Sequence, residues 1–159
     1  MKDKLNFYIN GQWVESDSKE RIEIINPANE ELIGHVTSGT KEDINKAVSA
    51  ASDAFQTYQF SSKEDRIEIL KNIITEYENR YDDLVQVITE EMGAPTWLSQ
   101  KAQASTGIKN LHETLDALKD YEFEKKEGDY TLIREPIGVI GMITPWNWPM
   151  NQITTKASA

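Results

Sequence analysis

The sequence predicts an α/β fold, and three observations support this prediction. A β-prone segment with turn residues occupies residues 5–37, stretches with helical spacing of apolar residues follow over 40–118, and a continuous apolar run occupies 138–143. An apolar run without alternation is typical of a strand that is buried on both faces, as in a parallel sheet. We therefore expect an N-terminal β segment, four helices, a hairpin and the first strand of a parallel sheet, in that order.

The N-terminal β segment begins with a hairpin signal. Asn10 and Gly11 stand between two β-prone runs, and both residue types tolerate the positive φ angles of a type I′ turn. Two further strands are expected over 21–25 and 32–37, with a turn around Pro27 between them.

Start and stop signals delimit the helices. Thr40 opens the first helix, and Ser61 or Ser62 opens the second, because each is followed three positions later by an acidic residue, the spacing of a capping box. Gly93 fits the C-terminal end of the third helix. The fourth is expected over 97–118, where leucine and isoleucine recur at helical spacing.

A second hairpin is expected over 121–135, with its turn around Gly128. Its strands carry many polar residues, which indicates an exposed ribbon or one that faces a partner.

Composition excludes several classes of function. The chain has 159 residues, a net charge of -10 and no cysteine, which excludes disulfides, cysteine metal sites and a cysteine nucleophile within it. An acidic surface repels nucleic acid and anionic lipid, so neither is an expected partner. The polar start is unlike a secretory signal, and no run reaches the roughly 18 apolar residues of a membrane helix. We expect a cytoplasmic protein.

The run 144–149 is the most informative segment for function. It follows the carboxyl end of the predicted strand, which is where open α/β sheets bind ligands. Two prolines restrict its backbone, two tryptophans exclude water, and the amide of Asn147 stands between them, so this amide could stabilise a developing oxyanion. The alternative is a proline-braced turn that only packs aromatic side chains.

Four motifs in the same order give the whole chain a resemblance to the aldehyde dehydrogenase superfamily. The strand and loop over 134–149 resemble the family's proline-glycine-valine strand followed by proline-tryptophan-asparagine-aromatic-proline. Residues 7–14 resemble its opening hairpin, 25–34 its asparagine-proline-alanine turn, and 91–95 a glycine-lysine-proline segment in which Ala94 replaces the lysine.

The resemblance implies roles for the matched positions. Asn147 corresponds to the asparagine whose amide joins the oxyanion hole for the thiohemiacetal. The positions that correspond to the nicotinamide cofactor site are Ile143, Thr144, Pro145 and Trp146. Those beside the aldehyde tunnel are Trp148, Asn151 and Gln152. Glu91, with the backbone near Ile25, lies where some relatives hold a monovalent cation; a solvated glutamate at a helix end is the alternative.

The resemblance also implies a domain division and an activity. Residues 1–120 would be the N-terminal part of the cofactor-binding domain, 121–135 the hairpin that pairs subunits in homodimers or tetramers, and 136–159 the first strand and loop of a Rossmann-like core. The family oxidises small aldehydes to carboxylic acids with NAD or NADP through a cysteine thiolate and a glutamate-activated water. The thiolate is absent here, so the alternative is a truncated, inactive chain that acts only as an interaction or oligomerisation module.

Overall fold

The structure, a computed structural model, describes residues 3–159. Strands and helices both occur, as the predicted fold class requires. The strands are β1 (Asn6–Ile9), β2 (Gln12–Glu15), β3 (Arg21–Ile25), β4 (Leu32–Thr37), β5 (Glu124–Glu127) and β6 (Tyr130–Ile133). The helices are α1 (Lys41–Tyr58), α2 (Lys63–Asn79), α3 (Tyr81–Met92), α4 (Thr96–Leu98), a π-helical segment (Ser99–Ala104), α5 (Ser105–Asp120) and α6 (Pro149–Ala157).

The strands form three antiparallel pairs, β1 with β2, β3 with β4 and β5 with β6. Asn10 and Gly11 connect the first pair with φ angles of 52° and 74°, as a type I′ turn requires. Gly128 begins the turn of the third pair with a φ of 63°. Both predicted hairpins are therefore confirmed.

Capping boxes fix the starts of α1 and α2. The Asp43 backbone N–H donates to Thr40 Oγ1 at 3.2 Å, and the Thr40 N–H donates to Asp43 Oδ2 at 2.8 Å. Ser62, rather than Ser61, makes the equivalent contacts at α2. Ser16 also donates to Asp43 Oδ2 at 2.6 Å, which ties the N-terminal β segment to α1. The hydrogen bonds from Ser16 and then Thr40 lower the pKa of Asp43 below its ordinary 3.8.

The core consists of two buried clusters on the helices. The first lies between α2 and α5, and the second joins α3, Ala94 and the π-helical segment. Met150 of α6 packs against both clusters, so α6 is docked where they meet. The first cluster is formed by Leu70, Ile74, Tyr77, Leu111 and Leu115, and the second by Val85, Ile88, Ala94 and Ala104.

The predicted fourth helix is not regular. Between α4 and α5 the chain widens into the π-helical segment, which the leucine and isoleucine spacing did not indicate. The hydroxyl of Tyr77 donates to the Ala104 carbonyl at 2.8 Å, and that of Tyr81 donates to the Gln100 carbonyl. These two tyrosines satisfy backbone acceptors that a regular α-helix would pair internally.

The prediction of a buried strand over 138–143 is wrong for this structure. The segment is neither a strand nor buried: the flanking Ile137 is 90 % exposed and Ile143 93 %. A strand exists only when a neighbour pairs with its backbone. Every strand formed by residues 3–159 lies in one of the three antiparallel pairs, so none pairs with this apolar run.

Among the same residues, no helix combines the length and apolar composition needed to cross a membrane.

Candidate functional site

The residues predicted to bind substrate and cofactor lie on one continuous stretch that leads into α6. Thr144, Pro145 and Asn147 are exposed. Trp146 is 80 % exposed, and Trp148, at the N-cap of α6, is 38 % exposed. Pro149 is the first residue of α6, a position that suits proline because its missing N–H would have no partner within the helix. The candidate site is thus an open loop followed by a helix N-terminus.

Close helix packing fixes one end of this loop. Gly107 of α5 is buried, and a Cβ atom there would lie 3.0 Å from Met150 Cβ and 2.2 Å from the Tyr77 hydroxyl oxygen. Only glycine allows both side chains to approach α5 so closely. Met150 can therefore reach the core one residue after the proline that begins α6.

Polar contacts hold the remainder of α6. The Asn110 Nδ2 atom on α5 lies 3.0 Å from Asn151 Oδ1, 3.2 Å from Thr154 Oγ1 and 2.8 Å from Thr155 Oγ1, and these three acceptors share its two N–H groups. Asn151, predicted to lie beside the substrate, therefore also contacts α5. Gln152 is half-buried, and its side-chain oxygen accepts a hydrogen bond from Lys156.

This second packing face of α5 was not predicted from the sequence. Gly107, Asn110 and Thr114 follow one another at spacings of three and four residues, and Thr114 Oγ1 lies 2.9 Å from Ser158 Oγ. That spacing places small and polar residues in one line along the helix. The same spacing in the sequence indicates a second packing surface, beside the face formed by the regularly spaced leucine and isoleucine residues.

Gln103 was also missed, and it contacts the candidate catalytic residue. Its Nε2 atom donates to the backbone carbonyl of Asn147 at 3.2 Å. The residue is 1 % exposed, and within residues 3–159 its Oε1 atom has no hydrogen-bond partner. The exposed loop is therefore attached to a buried residue of the π-helical segment, at the residue whose amide is expected to act on the substrate.

The hydroxyl of Tyr77 is uncharged at neutral pH. Burial raises the pKa of its hydroxyl far above the ordinary value of 10.0, with a smaller contribution from Tyr81. The hydroxyl therefore stays protonated and donates a hydrogen bond to the Ala104 carbonyl.

Two grooves lie elsewhere on the molecule. One, of about 360 Å³, lies between α3 and the segment from α4 to Gln100, and the other, of about 550 Å³, lies between α1, α2 and the β5–β6 hairpin. Neither is lined by residues 143–152. Residues 143–148 are themselves exposed.

The candidate cation residue, Glu91, is exposed on the last turn of α3. Gly93 ends that helix with a φ of 67°, and a Cβ there would lie 2.7 Å from Pro27 Cγ. The end of α3 thus packs on the turn that follows Ile25, which brings the two predicted segments close together. No group of three or more histidine, cysteine or acidic residues within 3–159 could hold a metal ion, so Glu91 as a ligand stays a prediction.

Comparison with known proteins gives a consistent result. The sequence model described as "Aldehyde dehydrogenase family" matches residues 13–159. A Staphylococcus aureus (strain USA300) protein named "Putative aldehyde dehydrogenase" is 49 % identical over 159 residues, which are 100 % of this chain and 34 % of that protein. The chain therefore spans about a third of the length of the curated relatives it matches.

Solved structures agree. An aldehyde dehydrogenase from Bartonella henselae superposes with a TM-score of 0.94 at 38 % identity, over 97 % of this chain and 33 % of its own. A mutant of aldehyde dehydrogenase C from Pseudomonas syringae, in complex with NAD+ and octanal, superposes with a TM-score of 0.91 at 39 % identity, over 94 % and 31 %. On these matches, the chain belongs to the aldehyde dehydrogenase family.

Proposed function

We propose that residues 1–159 are the N-terminal portion of an enzyme that oxidises an aldehyde to a carboxylic acid with NAD or NADP. The proposal rests on the geometry of the loop 144–149. Its backbone is held by Gln103 and by the docking of α6, while the side chains of Trp146 and Asn147 stay exposed. The chain contains no cysteine, so the thiolate nucleophile of this chemistry would come from outside these residues.

In this proposal Asn147 is the oxyanion donor. When a thiolate adds to the aldehyde carbon, the C–S bond forms and the carbonyl π electrons move to oxygen. The side-chain N–H of Asn147 donates to that oxygen as its negative charge grows. A donor on a restrained backbone needs no reorganisation at the moment of reaction, which is why such donors have large effects on rate.

The residues Ile143, Thr144, Pro145 and Trp146 form a wall of the cofactor site in this proposal. Ile143 and Trp146 expose large apolar surfaces, which fit the flat face of a nicotinamide ring, and Thr144 adds a hydroxyl. When bound, the nicotinamide takes up hydride. The NAD+ in the Pseudomonas syringae structure supports this class of cofactor.

The substrate side of the site would begin at Trp148, with Asn151 and Gln152 on the following turn of α6. The half-exposed indole of Trp148 offers an apolar surface to the carbon chain of a small aldehyde. Octanal in the Pseudomonas syringae structure supports an aldehyde as the class of substrate. Glu91, with the backbone near Ile25, remains the proposed ligand of a monovalent cation.

We divide the chain as the resemblance suggests: 1–120 as part of the cofactor-binding domain, 121–135 as an oligomerisation hairpin and 136–159 as the start of the Rossmann-like core. The hairpin exposes Tyr130, Leu132 and Ile133, which supports a role in pairing subunits of a homodimer or tetramer. A cytoplasmic location is part of the proposal.

A chimaera tests the proposed activity. Residues 1–159 would replace the matching first third of the Staphylococcus aureus relative, and aldehyde-dependent formation of NADH or NADPH would be followed. We expect turnover, and we expect Asn147→Ala to lower kcat by about 10²–10³. Asn79→Ala, at an exposed asparagine that ends α2, is the matched control and should leave kcat unchanged.

A folded chimaera that forms no reduced cofactor would contradict the proposed activity. A near-normal kcat for Asn147→Ala would contradict the oxyanion role. The second candidate function, an inactive interaction module, is favoured by the absence of cysteine and the exposed apolar residues of the hairpin. It predicts that the 159-residue chain associates in a concentration-dependent manner and that the chimaera has no turnover.

A further inference from the structure

We propose that Gln103 is a positioning residue, whose side-chain amide holds the Asn147 backbone so that the Asn147 side chain stays directed at the aldehyde oxygen. This inference rests on the proposed function. It concerns a contact between residues 44 positions apart that joins the core to the exposed loop.

The burial of Gln103 points to a specific role for its amide. A buried amide loses its hydrogen bonds to water, and this loss is costly unless protein groups replace them. Here the Nε2 atom has the Asn147 carbonyl, whereas Oε1 has no partner within residues 3–159. The adjacent Ala104 is fully buried and apolar. An apolar side chain would fill the position at a lower cost, so packing alone does not account for glutamine.

The π-helical segment gives this donor a rigid base. Tyr77 and Tyr81 satisfy the carbonyls of Ala104 and Gln100 from α2 and α3. The hydroxyls of Ser105 and Thr106 donate to the carbonyls of Lys101 and Ala102 at 2.6 and 2.7 Å. Since hydroxyl groups brace these four carbonyls, the backbone that carries Gln103 has little freedom to move.

The acceptor lies in a loop that has few other restraints. Residues 143–148 are exposed, and α6 restrains them only from Trp148 onward, where the Gln152 N–H donates to the Trp148 carbonyl at 3.0 Å. The carbonyl carbon of Asn147 is bonded to the Cα atom that carries the side chain. Because the peptide unit is planar, a hydrogen bond to that carbonyl restricts the backbone at Asn147, and with it the direction of the Cα–Cβ bond from which the side chain extends.

The contact is tested first without any variant. In the isotope-labelled 159-residue chain, NMR should detect a scalar coupling through the hydrogen bond, from the Gln103 side-chain nitrogen to the Asn147 carbonyl carbon. In Gln103→Met, which keeps the length of the side chain but cannot donate, the Asn147 carbonyl resonance should move upfield. Gln100→Met, at an exposed glutamine of the same π-helical segment, should leave it in place. Absence of the coupling in the unaltered chain would overturn the inference.

The positioning role is tested in the chimaera. Gln103→Met should lower kcat about three- to tenfold, the effect of one neutral hydrogen bond, with KM changed less than about twofold. In the Asn147→Ala background it should have no further effect on kcat. A kcat that stays normal in Gln103→Met, or that falls equally in both backgrounds, would overturn the role. A normal kcat in Asn147→Ala alone would instead refute the proposed oxyanion role of Asn147, and a folded chimaera without turnover would refute the proposed activity; in either case the through-bond coupling would still show whether the contact exists.

Discussion

The substitution Gly107→Ala tests how α6 is attached to the core. The added methyl group would lie 2.2 Å from the Tyr77 hydroxyl oxygen and 3.0 Å from Met150 Cβ. To restore ordinary van der Waals contact, the hydroxyl must move by about 1 Å. Since it donates to the Ala104 carbonyl at 2.8 Å, a displacement of that size is enough to break a buried hydrogen bond.

The expected cost follows from three contributions. Forcing a methyl group into a packed core costs about 1–3 kcal/mol. Leaving the buried Ala104 carbonyl without its donor costs about another 1–3 kcal/mol. Alanine is the better helix former by about 1 kcal/mol, which offsets part of the loss. The free energy of unfolding should therefore fall by about 3 kcal/mol for Gly107→Ala.

Urea unfolding followed by far-UV circular dichroism measures this change, and a double-mutant cycle with Tyr77→Phe identifies its cause. Removing the hydroxyl removes the atom nearest to the new methyl group. Gly107→Ala should then cost about half as much in the Tyr77→Phe background. An alanine variant that is as stable as the parent chain would refute the steric argument. An equal cost in both backgrounds would show that the hydroxyl is not what the methyl group displaces.

Two further predictions concern the polar contacts. Hydrogen bonds lower the pKa of Asp43 in the folded chain, so the charged carboxylate stabilises the fold above pH 3.8, and this contribution is lost as the pH falls through the lower folded-state pKa. The difference in unfolding midpoint between the parent chain and Asp43→Asn should therefore shrink below pH 3.8. A difference that stays constant with pH would contradict this. Asn110→Ala should lower the free energy of unfolding, measured in urea, by about 2 kcal/mol, because it removes the donor to Asn151 and two threonines. The control His112→Ala, at an exposed residue of the same helix, should change it by less than about 0.5 kcal/mol. Equal effects of the two substitutions would contradict the role of Asn110.

The features predicted correctly from the sequence depend on neighbouring residues. The turn at Asn10 and Gly11 follows from the φ angles that these two residue types tolerate. The start of α1 follows from the spacing of Thr40 and Asp43, and the end of α3 from the left-handed conformation that Gly93 adopts. Each signal lies within four residues of the feature it predicts, so no tertiary information was needed.

The features that were missed or wrong depend on distant residues. The apolar run 138–143 was predicted to be a buried strand, but strand formation and burial both require neighbours, and residues 3–159 place none beside it. The contact of Gln103 with Asn147 links positions 44 residues apart, and no pattern within either segment indicates it. The loop that carries the candidate site could be located from its composition, whereas its support could not.

The π-helical segment also limits which insertions and deletions the chain can accept between Ser99 and Leu111. Each residue added to or removed from an α-helix turns the following part by about 100°. Ser99 contacts Thr89 of α3 through a hydrogen bond of 2.8 Å, while Leu111, one element later, is buried against α2. Deleting one residue between them would allow a regular helix but would rotate one of these two faces away from its partner. When this region is aligned with other sequences, a single-residue gap here would therefore mark a change in the phase between two packing surfaces and not a harmless loop variation.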